Sequence, residues 1–115
     1  MKKHHIVITL AAGTVALLAA CSEPTPDISG TYSENTENFL YTYTFSKFDE
    51  TKYQMVVIEK SLNRPEKNPV IREKIYLYSD SNKFCEEASN SDCFSFDKKQ
   101  GIRFDGQSEF IKKAD

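Results

Sequence analysis

After residue 27 the chain alternates with a period of two residues and shows almost no helical periodicity. Residues 39–45 place Phe39, Tyr41, Tyr43 and Phe45 on one face of an extended chain and two threonines on the other. Residues 53–58 are rich in β-branched side chains, a composition typical of strands. Further along, apolar Ile71, Ile75 and Leu77 alternate with Arg72, Lys74, Tyr76 and Tyr78. These patterns predict β-strands.

Shorter segments of the same kind complete a set of seven or eight strands. They cover residues 28–33, 83–86, 93–97, 101–105 and 109–112, and turn-forming residues such as Ser79-Asp80-Ser81-Asn82 separate them. A short helix is conceivable only over residues 86–91. We therefore predict one all-β domain over residues 28–115, an antiparallel barrel or sandwich preceded by an N-terminal signal helix.

The N-terminus has the composition of an export signal. Lys2 and Lys3 are followed by an apolar run over residues 6–20, the pattern of a signal peptide. A membrane-spanning helix is the alternative, but it needs about 20 apolar residues, and Cys21 followed by Ser22-Glu23-Pro24 ends the run early. Residues 1–20 are therefore predicted to be a cleaved leader.

The end of the leader, Leu18-Ala19-Ala20-Cys21, resembles the lipobox of bacterial lipoproteins. The resemblance implies that a diacylglyceryl group is attached to the Cys21 sulfur, that the leader is cut before Cys21, and that the new amino group is usually acylated. Two or three acyl chains hold a protein stably on a membrane. An ordinary secreted protein is the alternative.

Residues 21–27 then form a lipidated tether, which keeps the domain within about 20 Å of the lipid. In enteric lipoproteins an aspartate after the lipidated cysteine favours retention in the inner membrane. Ser22 occupies that position here, so the resemblance favours the outer membrane, with the domain facing the periplasm.

The composition of the mature chain excludes several classes of function. The two histidines, His4 and His5, leave with the leader, as do two of the 15 basic residues, so 13 basic residues face 17 acidic residues and the net charge becomes −4. An acidic balance disfavours nucleic acid as a partner. Without histidine, catalysis of the Ser-His-Asp kind has no base, and three isolated glycines make no phosphate loop. We expect no enzyme activity, cofactor or metal.

The remaining cysteines, Cys85 and Cys93, form an even pair once Cys21 is assigned to lipid. In an oxidising compartment they are predicted to form a disulfide, worth about 2.5 kcal/mol by chain entropy. Metal or redox chemistry is the alternative, but the pair lacks both histidine co-ligands and the Cys-x-x-Cys spacing.

Paired carboxylates occur at Asp49-Glu50 and Glu86-Glu87. Two carboxyls across a cleft can hydrolyse glycosides, but both pairs lie beside predicted turns, where solvated surface charge is the ordinary explanation. The polar residues 80–92 lack the ligand spacing of a calcium loop.

Four tyrosines are candidates for a ligand or partner surface. Tyr41 and Tyr43 either line a pocket or belong to the core. Tyr76 and Tyr78 either point outward as a patch for protein recognition or simply cover one face of the sheet.

The two ends of the domain, residues 27–32 and 106–113, resemble the first and last strands of small lipocalin-like or inhibitor-like bacterial lipoproteins, and this resemblance favours a barrel over a sandwich. We expect a membrane-anchored envelope lipoprotein that acts as a non-catalytic binding module for a periplasmic protein, as an inhibitor, an immunity factor or an envelope-assembly accessory. The alternative is a carrier of a small molecule or lipid with an aromatic-lined interior.

Overall fold

A computed structural model describes residues 24–114 of the protein. The predicted signal helix and Cys21 lie outside the described residues. Every strand pairs antiparallel with its neighbour in the chain, in the order β1 to β7. The strands are β1 Gly30–Asn35, β2 Phe39–Lys47, β3 Lys52–Ser61, β4 Val70–Asp80, β5 Lys83–Glu86, β6 Cys93–Asp97 and β7 Gly101–Phe104. This meander confirms the prediction of an all-β antiparallel domain.

The turns follow from local sequence. Ser81 and Asn82 both have positive φ, 51° and 61°, as a two-residue hairpin between twisted strands requires. Residues 86–91 form no helix: Glu86 ends β5, and residues 87–92 connect it to β6. Cys85 lies directly opposite Cys93 across these two strands, and the two are joined by a disulfide.

The C-terminal segment almost closes the sheet into a barrel. The backbone N–H and C=O of Ile111 both bond to Ile102 of β7, at 2.6 and 3.0 Å, and the Ala114 N–H donates to the Thr31 carbonyl of β1 at 2.7 Å. The predicted strand over residues 109–112 is thus replaced by isolated bridges at Ile111 and Lys113. The segment has only a few residues with which to pair with both β7 and β1, so it forms a single bridge to each.

Aromatic side chains fill the barrel. The Phe94 ring, which is fully buried, lies 5.0–5.7 Å from four other rings, and the Phe84 ring stacks on it with an interplanar angle of 10°. The other three rings around Phe94 belong to Phe45, Tyr76 and Phe104.

Strand β4 turns its tyrosines inward. Tyr76 is only 1% exposed, and Tyr78 packs partly buried against the core with its ring 5.1 Å from Phe84. Of the two alternatives for Tyr76 and Tyr78, burial rules out the outward patch for Tyr76, and these tyrosines cover the inner face of the sheet. The physical reason is that an aromatic ring fills interior volume while its hydroxyl reaches a polar partner at the rim.

The barrel has two ends of different character. One end, which we call the tether end, is where residues 24–29 enter the barrel. There Ile28 is fully buried, and the Tyr53 hydroxyl donates to the Pro26 carbonyl at 3.4 Å. At the opposite end, which we call the hairpin end, the Leu62 N–H donates to the Asn38 carbonyl at 2.8 Å and joins two hairpin loops. The long strands β2, β3 and β4 connect the two ends.

Closure by the C-terminal segment gives a first testable expectation. Gly101 has φ +105°, and a Cβ there would collide with the Ile111 carbonyl, whereas Gly106 has φ +93° with nothing within 4 Å of its added Cβ. We expect Gly106→Ala to lower the free energy of unfolding by about 1–2 kcal/mol through backbone strain alone. Gly101→Ala should cost about 2 kcal/mol more, because the closing segment must move. Urea unfolding of both variants measures the difference, and equal losses would contradict this account of closure.

Candidate functional site

Strand β5 is too short to cover its neighbour β4. It pairs with β4 only from Tyr76 onward, and the last contact on that side is the Glu87 N–H, which donates to the Ile75 carbonyl at 2.8 Å. Residues 70–74 of β4 therefore pair with β3 on one side and have no strand on the other within the part of the chain that the structure describes. We call residues 70–74 the free edge.

The backbone groups of the free edge are available for pairing. Because the carbonyl of Ile75 points to the β5 side, the N–H and C=O of Ile71 and Glu73, at the same alternate positions, point to the same open side. Among the described residues, no hydrogen bond occupies these groups. A cleft of about 290 Å³, lined in part by Glu73, Ile75 and Ala88, lies where the free edge meets the end of β5.

Exposed apolar side chains lie at the β3–β4 hairpin, on both faces of the sheet. Ile71 is 63% exposed, Val70 51% and Leu62 44%. Ile58 lies opposite Ile71 in the β3–β4 ladder, so the two side chains are neighbours on the same face of the sheet. We call Leu62, Val70 and Ile71 the hairpin patch.

On the inner side of the free edge lies a groove at the barrel mouth, which we call the rim groove. It has a volume of about 280 Å³, near the lower limit for small-molecule sites. Its walls come from β2, β3, β4 and β7 together with the loops that precede β6 and follow β7. Its lining includes Tyr41, Tyr43, Arg72, Lys74, Tyr76, Asp92, Phe104 and Gln107.

Charged groups in and around the rim groove are paired with one another. Arg72 contacts Glu59 at 2.6 Å, and the Lys74 ammonium lies 2.7 Å from Asp92. The Tyr76 hydroxyl donates to the same Asp92 carboxylate at 3.0 Å. An anionic ligand would therefore have to compete with carboxylates already in place.

These contacts and burial shift the pKa values of side chains in the rim groove. Burial and the Asp92 carboxylate raise the pKa of Tyr76 far above its ordinary value, and burial together with Glu34 does the same to the pKa of Tyr43. Burial alone would raise the pKa of Asp92, but hydrogen bonds from Lys74 and Tyr76 outweigh it and lower that pKa. Tyr43 and Tyr76 are thus neutral hydrogen-bond donors at physiological pH.

The four tyrosines that the sequence analysis named as candidates do not all lie at one site. The rim groove brings Tyr41, Tyr43 and Tyr76 together, while Tyr78 lies outside it, against Phe84. Cys21 falls outside the described residues.

The paired carboxylates have structural partners. Asp49 accepts the Thr51 N–H at 3.0 Å, and Glu87 pairs with Lys52 at 2.9 Å. Glu86 lies 3.8 Å from Lys74. Within residues 24–114, no group of three or more His, Cys, Asp or Glu side chains is placed to hold a metal ion. The same residues include no helix long and apolar enough to cross a membrane.

Two features were not predicted from the sequence, the free edge and the hairpin patch. The feature that could have indicated the free edge is the unequal length of neighbouring strands, since β4 has 11 residues and β5 has four. Comparisons with protein-family models, curated proteins and solved structures found no match to this chain. The case for a function rests on the geometry of the described residues.

The Asp92 contacts predict how stability depends on pH. Since the pKa of Asp92 lies below its ordinary value of 3.8 in the fold, its contribution is present above that value and is lost as the pH falls through the lower, folded-state pKa. We expect Asp92→Asn to lower the free energy of unfolding at pH 7 by about 1 kcal/mol, and the difference from wild type to shrink as the pH falls below 3.8.

Denaturant unfolding at pH 7 and pH 3 measures this effect. Asp80→Asn is the matched control, because Asp80 is exposed and makes no ion pair among the described residues. A wild-type minus Asp92→Asn difference that stays constant between the two pH values would show that the carboxylate charge is not what stabilises the rim.

Proposed function

We propose that the protein is a lipid-anchored envelope protein and a non-catalytic protein-binding module, whose partner adds an extended segment to the free edge of β4. The observation that carries the proposal is the coincidence of the free edge with the hairpin patch: open backbone groups at Ile71 and Glu73 adjoin the most exposed large apolar side chain among the described residues, Ile71.

Strand addition to an edge obtains affinity from main-chain hydrogen bonds and specificity from side-chain pockets at alternate positions. Ile71 and Glu73 together offer two donors and two acceptors, each worth about 0.5–1.5 kcal/mol net. The hairpin patch and the cleft beside Ala88 supply apolar and shape contacts at the two ends of such a segment.

Residues 70–74 carry no proline and no outward lysine, although Pro69 directly precedes them and Glu73 is exposed on the outer face. Exposed edges are commonly blocked by outward lysines or by proline. Here Arg72 and Lys74 turn into the rim groove, where they pair with carboxylates, and the outer face presents Ile71. This arrangement supports an edge that is kept available for a partner.

A carrier function is the second candidate, and the rim groove beside Tyr41 and Tyr43 is the observation that favours it. Its size limits it to a small ligand, and the stacked aromatic core below it leaves the tyrosine rings at the mouth as the binding surface.

The anchor is tested by the mass of the protein extracted from bacterial membranes. We expect the mass of residues 21–115 plus two or three acyl chains, with two free thiols only after reduction. An unacylated product or two thiols without reductant would contradict the anchor or the disulfide. The same sample under native conditions would reveal a bound small molecule if the protein is a carrier.

The free edge is tested by photo-crosslinking in the cell envelope. A photoreactive phenylalanine analogue replaces Ile71 in one strain and Phe48 in another. The two sites are matched, because Phe48 is 61% exposed and lies in the β2–β3 turn at the tether end. We expect the Ile71 position to crosslink to one protein and the Phe48 position not to crosslink to it.

The purified partner then allows an affinity measurement. Ile71→Lys should weaken binding at least about tenfold, the equivalent of about 1.4 kcal/mol, while Phe48→Lys should leave it within about twofold. Crosslinks from Ile71 only to a second copy of this chain, or equal crosslinking from both positions, would refute the proposal.

A further inference from the structure

Four lysine side chains meet in a cleft at the tether end of the barrel. The cleft has a volume of about 580 Å³ and is lined by Lys98 and Lys99 from the β6–β7 turn and by Lys112 and Lys113 from the closing segment. We call it the lysine cleft. The Asp97 carboxylate holds the turn in shape by accepting the N–H groups of Lys99 and Gln100 at 2.8 and 3.0 Å. Backbone pairing therefore fixes where these charges lie.

The positive charge of the lysine cleft is only partly neutralised by neighbouring carboxylates. All four lysines are exposed, and none makes an ion pair with another described residue. Asp27 is the one carboxylate in the lining, and Asp97 lies beside it in the β6–β7 turn, so the four lysines and these two carboxylates together carry a net charge of +2. A local excess of this size in an acidic mature chain indicates a surface suited to an anionic partner.

The lysine cleft lies next to the end of the predicted tether, where the chain enters the barrel. Asp27, which lines the cleft, follows Pro26, whose carbonyl is bonded to Tyr53. The chain is thus fastened to the barrel at Pro26, five residues after Cys21. Five residues reach at most about 17 Å, so a lipid on Cys21 holds the cleft within contact range of the headgroups.

Acidic residues at the same end lie on the other side of the barrel. Asp49 and Glu50 occupy the β2–β3 turn, and Asp80 ends β4. In the strand order, these turns are separated from the contiguous group formed by β6, β7, the closing segment and β1. Lys47, Lys52 and Lys83 flank the same turns, so that side is mixed in charge. The lysine cleft is therefore the side of this end with an excess of positive charge.

We propose that the lysine cleft docks the barrel on anionic lipid headgroups. The proposal rests on the proposed Cys21 anchor for its place in the cell, and it adds an orientation. The β6–β7 side lies against the lipid, and the hairpin patch and free edge, at the opposite end, face the periplasm. The tether supplies attachment, and the lysines set the angle at which the partner-binding edge is presented.

Vesicle co-sedimentation tests this docking without the anchor. The protein used begins at Ser22, carries no lipid, and retains all strands, the closing segment and the buried core. Vesicles of phosphatidylglycerol are compared with vesicles of phosphatidylcholine at low ionic strength. One variant carries Lys98→Gln, Lys99→Gln and Lys112→Gln. The control carries Lys60→Gln, Arg64→Gln and Lys67→Gln, three exposed residues at the hairpin end, and it has the same net charge.

We expect wild type to bind phosphatidylglycerol vesicles and not phosphatidylcholine vesicles, with binding lost at high salt. The cleft variant should bind at least tenfold more weakly, since each lysine near an anionic surface contributes about fivefold, and the control should stay within about twofold of wild type. Absence of binding to phosphatidylglycerol, or equal losses in both variants, would overturn the proposal. Because the protein is unlipidated, failure of the anchor leaves this result unaffected and is read separately from the extracted mass.

Discussion

Closure of the barrel depends on a short stretch of backbone at the C-terminus. Residues 111–114 bond to Ile102 on one side and to Thr31 on the other, so the last residues of the chain cover the exposed edges of the first and last strands. This approach is so close that Gly101 has no room for a side chain. With those two edges covered, the inner face becomes an interior that aromatic rings can fill.

The shortness of β5 leaves an opening in the sheet beside β4. Because β5 ends at Glu86, the first half of β4 has a free side. The outer face of that segment presents Ile71, and its inner face directs Arg72 and Lys74 into the rim groove. The free edge and the rim groove therefore share the same segment of β4, so a partner on the free edge would lie beside the rim groove.

The side chains at the two ends of the barrel suit a protein that is anchored to a membrane at one end. The end where the chain enters the barrel carries the lysine cleft, and the far end carries the exposed apolar side chains. An anchor at Cys21 with headgroup contacts at Lys98 and Lys112 would leave the hairpin patch directed away from the lipid. Attachment, orientation and recognition are then assigned to separate surfaces, so each can be altered without disturbing the others.

Local pattern determined most of the strands, because alternation and turn residues act over a few neighbours. The strands at Lys83–Glu86 and Cys93–Asp97 have the predicted bounds, and the Cys85–Cys93 disulfide joins the predicted pair. Tertiary structure decided which face of β4 is buried, since both faces carry large side chains and only the closed barrel favours the tyrosines. It also decided the free edge, the rim groove and the lysine cleft. Each of these depends on residues far apart in sequence that meet only when strands of unequal length close into a barrel.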